Sequence, residues 1–197
     1  ANTPGLRVIV SDVATVDYAG LPKVDHLHAS PSCKNASGAN SEGEEAQEDI
    51  SSALAVCRAL REVGPSCFTL ENVWAYREFE SFELVIRCLK EFGYHVDYWR
   101  LCAADYGVPQ ERYRLILIAR KDRKPGKPAQ THYKLDARKA LKGMRSMFWQ
   151  PWRGWYSSIE DLIPGLPETE PAPWQLARMP EEYKTMLLGQ GGFLLHN

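Results

Sequence analysis

The 197-residue chain has no Cys-x-x-Cys pair, no apolar run long enough to span a bilayer, no visible internal repeat and no signal-peptide pattern at its N-terminus. Five cysteines dispersed at 33, 57, 67, 88 and 102, without paired spacing, argue against a disulfide framework and for reduced thiols. The missing span and leader predict no membrane association and a cytoplasmic or nuclear location. Zinc-ligand spacing is also wanting. His26 and His28 share a strand face by period-two spacing and Cys33 follows, but a fourth ligand is lacking, so a metal-binding module is the weaker alternative and no metal is expected. The chain starts at Ala1 rather than Met and stops just after a Gly-rich turn, so it reads as a piece of something longer.

Apolar content of 44% is ample for a packed core. The net charge of -1 conceals an asymmetry: residues 1–109 carry 9 Lys+Arg against 16 Asp+Glu, and residues 110–197 carry 15 against 9. Between Arg120 and Arg153 there are 11 basic residues and 2 acidic ones, a local field suited to a polyanion.

Residues 6–10 read as a buried strand and residues 24–29 as a second one. Ile50, Ala53, Leu54, Cys57 and Leu60 recur at helical spacing up to Gly64-Pro65, and Phe79, Phe82, Ile86 and Leu89 mark a second helix stopped at Gly93. Short apolar runs at 67–70, 94–101 and 113–119 complete a strand, strand, helix, strand, helix, strand, strand order. That order predicts an α/β fold whose sheet is mostly parallel with an antiparallel pair at one edge. Cys57, Cys67, Cys88 and Cys102 fall inside these apolar patterns and read as core residues. After Lys124 the composition turns to Lys, Pro and Gly, which places a domain boundary there, with residues 1–122 as one domain and 123–197 as a second. Beyond it come a helix over 136–147, a Trp-rich loop (Trp149, Trp152, Trp155) and a capped short helix at 158–161. Those aromatics fit a small irregular core at least as well as base stacking.

Three stretches fall at the strand ends where open α/β sheets bind ligands. They are Ser30-Pro31-Ser32-Cys33, Leu70-Glu71-Asn72-Val73 and Gln110-Glu111-Arg112-Tyr113-Arg114. Together they would surround one pocket with a thiolate, a carboxylic acid and a guanidinium. Such a set suits covalent catalysis on an electron-poor ring: the thiolate adds to carbon, the acid meets a ring nitrogen that gains charge, and the cation fixes an exocyclic oxygen. A nearby cation also favours the thiolate form of Cys33. Asp12, at the end of the first run, either binds a ligand or caps a turn, and by itself the turn is favoured.

The three stretches, in this order and with Asp105-Tyr106-Gly107-Val108-Pro109 before the last, resemble the DNA (cytosine-5) methyltransferases over residues 6–122. The fold expected from that resemblance is a partial Rossmann-like methyltransferase sheet, with residues 1–122 as the catalytic core and 123–197 as the target-recognition region, both incomplete. The activity expected is methyl transfer from S-adenosylmethionine to C5 of cytosine in double-stranded DNA, through an adduct of Cys33 with C6 of a flipped base. Glu71 would contact N3 and the exocyclic amine, Asn72 would hold the active-site loop, and Arg112 would contact the cytosine carbonyl and support Glu71. Gln110 and Arg114 would brace the pocket, while Asp12, Val13 and Pro31 would meet the cofactor. This sequence departs from the family pattern at Ser32 and Lys34, which flank the nucleophile where proline and glutamine are usual, and at Cys102, where asparagine is usual. The family's Gly-rich cofactor loop would precede residue 1 and its last two motifs would follow the recognition region. An inactive or split DNA-binding fragment that needs a complementary chain for cofactor binding is therefore the alternative, and an RNA-directed relative is a further one.

Overall fold

A computed structural model describes residues 8–32, 45–134 and 150–154, with single positions at 173 and 177. The chain divides into two compact units, Ala1–Arg153 and Gly154–Asn197, and the elements described here all belong to the first.

A four-stranded sheet forms the centre: β1 (His26–Ala29), β2 (Cys67–Asn72), β3 (His95–Cys102) and β4 (Tyr113–Arg120), in spatial order β1-β2-β4-β3. β1 and β2 are parallel, and β4 runs against both β2 and β3, so three strands share one direction and β4 is the reversed one. Helix α1 (Gln47–Val63) makes the crossover from β1 to β2, as a parallel pair requires, and α2 (Glu80–Glu91) connects β2 to β3 after a short 3-10 turn.

Period-two alternation sorts the sheet. Phe68, Leu70 and Asn72 on β2 and Leu115, Leu117 and Ala119 on β4 are buried, and they pack in one core with Ala53, Val56 and Leu60 of α1 and Phe82, Val85 and Leu89 of α2. Burying a side chain of this size is worth about 1.5–3 kcal/mol, so this layer dominates stability. The helix ends carry their own chemistry. Gly64 terminates α1 at φ +67°, a conformation that costs a residue with a Cβ, and its amide bonds the Leu60 carbonyl. The Glu45 carboxylate reaches the first turn of α2, accepting from the amides of Glu80 and Ser81 at 2.8 Å each.

The expected strand at 6–10 is corrected. Its described residues lie in no strand, with Val8, Ile9 and Val10 exposed at 60%, 50% and 95%. A parallel neighbour for β1 needs a crossover, and the segment between Val10 and His26 is turn and bend rather than helix. The second run is shorter than expected, since the strand begins at His26 and Val24 is exposed. Among the thiols read as core, Cys57 and Cys102 are buried, while Cys67 and Cys88 are half-buried. The helix expected at 136–147, the one at 158–161, and Trp149 and Trp155 lie outside the described residues. After β4, two short parallel strands, β5 (His132–Tyr133) and β6 (Gln150–Pro151), form a separate pair. Among the described residues no helix is long and apolar enough to cross a membrane.

Candidate active site

The carboxyl ends of β1 and β2 and the start of β4 meet at one rim of the sheet, because β4 is antiparallel to β2. Leu70 and Asn72 point to the helices, so Glu71 between them points to the other face. Its neighbours there follow from register. Ala29 is paired with Leu70, so the next residue, Ser30, comes abreast of Glu71. Ser30 Oγ donates to Glu71 Oε2 at 2.9 Å. From β4, Arg114 sets its Nε 2.9 Å from Glu71 Oε1. Each carboxylate oxygen is thus held by a different donor, one charged and one neutral.

On the opposite face Asn72 is 2% exposed, so its amide must find partners inside the protein. Its Nδ2 donates to the Pro31 carbonyl at 3.2 Å, and its Oδ1 accepts from the Val73 amide at 2.7 Å. Pro31 is buried. Two adjacent side chains of β2 therefore tie two adjacent residues just after β1: Glu71 holds Ser30 and Asn72 holds Pro31. Ser32 is the last described residue before Cys33, which lies outside the described residues.

The remaining expected residues are distributed as follows. Arg112 is exposed, and its side chain forms no hydrogen bond or ion pair among the described residues, while its backbone carbonyl accepts from the Ala103 amide at 2.9 Å. Gln110 is exposed on the same turn. Arg114 also donates from Nη1 to the Tyr113 carbonyl at 2.8 Å. Asp12 caps its own turn, its Oδ1 accepting from the Ala14 amide at 2.9 Å. The Val13 carbonyl accepts from Arg58 Nη2 at 3.2 Å and from the Tyr18 hydroxyl at 3.0 Å. Arg58 also takes the carbonyls of Ala14 and Val16 and lies over the Tyr18 ring, so one guanidinium organises the Asp12 loop. His26 and His28 each place a ring nitrogen on Thr69 Oγ1, at 2.8 and 2.9 Å. Among the described residues no group of three or more His, Cys, Asp or Glu could hold a metal.

Two residues that the motifs contain were given no role by sequence reasoning. Ser30 was legible only through the parallel register that sets it beside Glu71. Asp105 was legible only through partners far along the chain. Its Oδ1 accepts from Gln130 Nε2 and from Trp152 Nε1, both at 3.0 Å, and its carbonyl accepts from the Thr131 amide at 3.0 Å. Close by, Gly107 sits at φ +86°, and a Cβ there would lie 2.7 Å from the His132 ring. Glycine is required at that point by both conformation and space.

The topology is that of a Rossmann-like fold. The structure of the Entamoeba histolytica methyltransferase EhMeth is similar at a TM-score of 0.52, with 18% identity over 64% of this chain and 41% of that one. More specifically, residues 1–173 match the family model of the C-5 cytosine-specific DNA methylases, and the chain belongs to that family. Among its relatives, type II methyltransferase M.SacI of Streptomyces achromogenes is 32% identical over 63% of this chain and 36% of that protein. Type II methylase M.HgiDII of Herpetosiphon aurantiacus is 42% identical over 32% of this chain and 19% of its own length. DNA (cytosine-5)-methyltransferase 4 of Arabidopsis thaliana is 30% identical over 75% of this chain and 11% of that protein. The chain thus spans about a third or less of these relatives' length.

Proposed function

We propose that this chain carries the catalytic part of a DNA (cytosine-5-)-methyltransferase, transferring a methyl group from S-adenosylmethionine to C5 of cytosine in double-stranded DNA. The observation that carries the reading is the Glu71 carboxylate, held between Arg114 and Ser30 at the rim where Asn72 fastens the loop leading to Cys33. C5 of cytosine is a poor nucleophile until something adds at C6. Addition of the Cys33 thiolate there pushes electrons toward N3, where Glu71 supplies a hydrogen bond or a proton. The Ser30 hydroxyl can donate to the carboxylate and accept from the carboxylic acid, so its contact survives either protonation state. Arg112, whose side chain is unengaged among the described residues, is available for the cytosine carbonyl, with Arg114 and Gln110 bracing the site. After C5 is methylated, loss of its proton restores the ring's double bond and expels the thiolate. A base stacked in a duplex is out of reach of this chemistry, so it is flipped out, at a cost of a few kcal/mol repaid by stacking and edge contacts.

The cofactor, when bound, supplies an electrophilic sulfonium methyl. Asp12, Val13 and Pro31 are the residues of this chain proposed to meet it. Their fit is partial: Asp12 Oδ1 and the Val13 carbonyl are committed within the loop, which leaves Asp12 Oδ2 as the acceptor for an amine. Residues 1–122 act as the catalytic core, and 123–197, rich in cations, as the target-recognition region, whose phosphate contacts give affinity without sequence information.

Trapping tests the reading. A duplex containing 5-fluorocytosine, with S-adenosylmethionine present, is expected to give a denaturant-resistant adduct that Cys33→Ala abolishes. The same adduct from Cys33→Ala would remove Cys33 as nucleophile. The second reading, a fragment that binds DNA and needs a complementary chain for the cofactor, is favoured by the share of its relatives that this chain spans. It predicts an adduct only when the chain is supplied with the sequence flanking it in its genome. An adduct on single-stranded RNA alone would transfer the chemistry to another substrate.

A further inference from the structure

Helix α1 presents Ala53, Val56, Cys57 and Leu60 at the helical spacing of a single face, and that face packs on the core it shares with α2. One contact fixes where the Cys57 sulfur lies on α2: its Sγ is 3.9 Å from the carbonyl of Leu84, and Cys88 stands one helical turn further along the same face. Residues 84, 88 and 91 are one ridge of a helix, so the sulfur of α1 lies on the ridge of α2 that carries the second sulfur. Cys57 is 8% exposed, whereas Cys88 is half-buried and open on one side to solvent. The other two described thiols lack this relation, because Cys67 is on β2 and Cys102 on β3, strands separated by β4.

We propose that Cys57 and Cys88 form an oxidative modification site, at which a peroxide converts the two thiols into a disulfide that staples α1 to α2. Cys88, the accessible sulfur, attacks the peroxide first: an S–O bond forms, the O–O bond breaks, and the departing hydroxide takes up the thiol proton as water. Cys57 then attacks the Cys88 sulfenic sulfur; the S–S bond forms, the S–O bond breaks, and a second water leaves with the Cys57 proton. Two thiols and one peroxide give one disulfide and two waters. Burial, with the adjacent Cys88, holds the Cys57 thiol well above the usual cysteine range, so the second step is the slow one and accelerates as pH rises above neutral.

The test uses the chain as it is, treated with an equimolar amount of hydrogen peroxide, quenched with an alkylating agent and mapped by peptide mass. The expected product is one intramolecular cross-link joining Cys57 to Cys88, lighter by two hydrogen atoms and reversed by dithiothreitol. Its unfolding midpoint should be several degrees higher, because a loop of about 30 residues has been closed. Cys88→Ser should lose the cross-link, and Cys57→Ser should leave a sulfenic acid on Cys88 that reacts with dimedone. If Cys57→Ser fails to fold, the wild-type map decides alone. Independent alkylation of Cys57 and Cys88 after peroxide, or a cross-link joining either to Cys33, Cys67 or Cys102, would overturn the proposal.

Discussion

Two carboxylates stand at the same edge of the sheet and are held in opposite ways. Glu71, at the end of β2, has a guanidinium on one oxygen and a hydroxyl on the other, with its side chain 31% exposed and Arg114's 26%. Asp105, in the turn after β3, takes an amide and an indole on one oxygen, while its backbone bonds Thr131. The Glu71 partners adapt: an arginine can shift toward a ligand and a serine hydroxyl can reverse its polarity. The Asp105 partners are donors that flank the β5–β6 pair. One carboxylate has partners that can change their bonding, and the other fastens the segment following β4 to the rim.

The largest expected effect is chemical. Glu71→Gln should slow adduct formation by about 10²–10⁴-fold, the range for removing a positioned general acid, as measured by 5-fluorocytosine trapping rates. Its thermal stability should scarcely change, because a pair this exposed is worth at most about 1 kcal/mol. A stability loss of several kcal/mol would show Glu71 to be a clamp like Asp105, and the contrast would collapse. Asp105→Ala should do the reverse. Removing an acceptor from two donors costs about 1–3 kcal/mol locally, felt as opening of β5–β6, and acrylamide should quench Trp152 more readily in the variant. Asp105→Asn, which keeps a carbonyl acceptor, should restore most of the protection. Equal quenching in Asp105→Ala and wild type would show that other contacts hold the strand pair.

Local pattern explains what the sequence made legible. The helices were readable because apolar spacing and the glycines that end them are local signals, and α1 ends where Gly64 takes its left-handed conformation. β2 and β4 were readable from runs that the structure extends by two residues and by one, and β3 from a run that it shifts by one. The run at 6–10 failed because strand formation depends on a partner, and three consecutive apolar residues do not say whether one exists. The same limit hid the roles of Ser30 and Asp105. Ser30 needs the β1–β2 register, and Asp105 bonds Gln130 and Trp152, 25 and 47 residues on. The Cys57–Cys88 contact is likewise invisible before two helix faces are docked.

Ser30 sharpens the comparison at a smaller scale. Ser30→Ala removes one neutral donor from Glu71 in an exposed setting, and the trapping rate should fall only by about tenfold or less, as expected for a hydrogen bond of roughly 1 kcal/mol. Ser30→Thr, which keeps the hydroxyl, should recover it. A similar loss in both variants would mean that packing at this position, rather than the hydroxyl, supports Glu71.

A third carboxylate, Asp122 just past the far end of β4, extends the comparison to an ion pair at the surface. Arg120 donates to it from Nε at 2.8 Å and from Nη2 at 2.9 Å, with Arg123 at 3.8 Å. The hydrogen bonds from Arg120, reinforced by its charge and that of Arg123, lower the Asp122 carboxyl to about 2. A folded value below the unfolded one, about 3.9, means that the pair contributes above about pH 4 and that its contribution is lost as pH falls through 2. Solvent screening keeps that contribution small. Asp122→Asn should therefore lower the melting midpoint slightly at pH 7 in low salt, with the difference vanishing near pH 2 and shrinking with added salt. The same carboxylate offsets cations in the stretch proposed to meet DNA. Neutralising Lys121, Arg123 and Lys124 should reduce the salt slope of DNA binding by fewer than the roughly 0.9 per charge of a free phosphate contact, since Arg123 faces Asp122 and Lys124 faces Asp97 at 3.7 Å. An unchanged slope would remove this stretch from the DNA interface and leave Asp122 with only its local pair to hold.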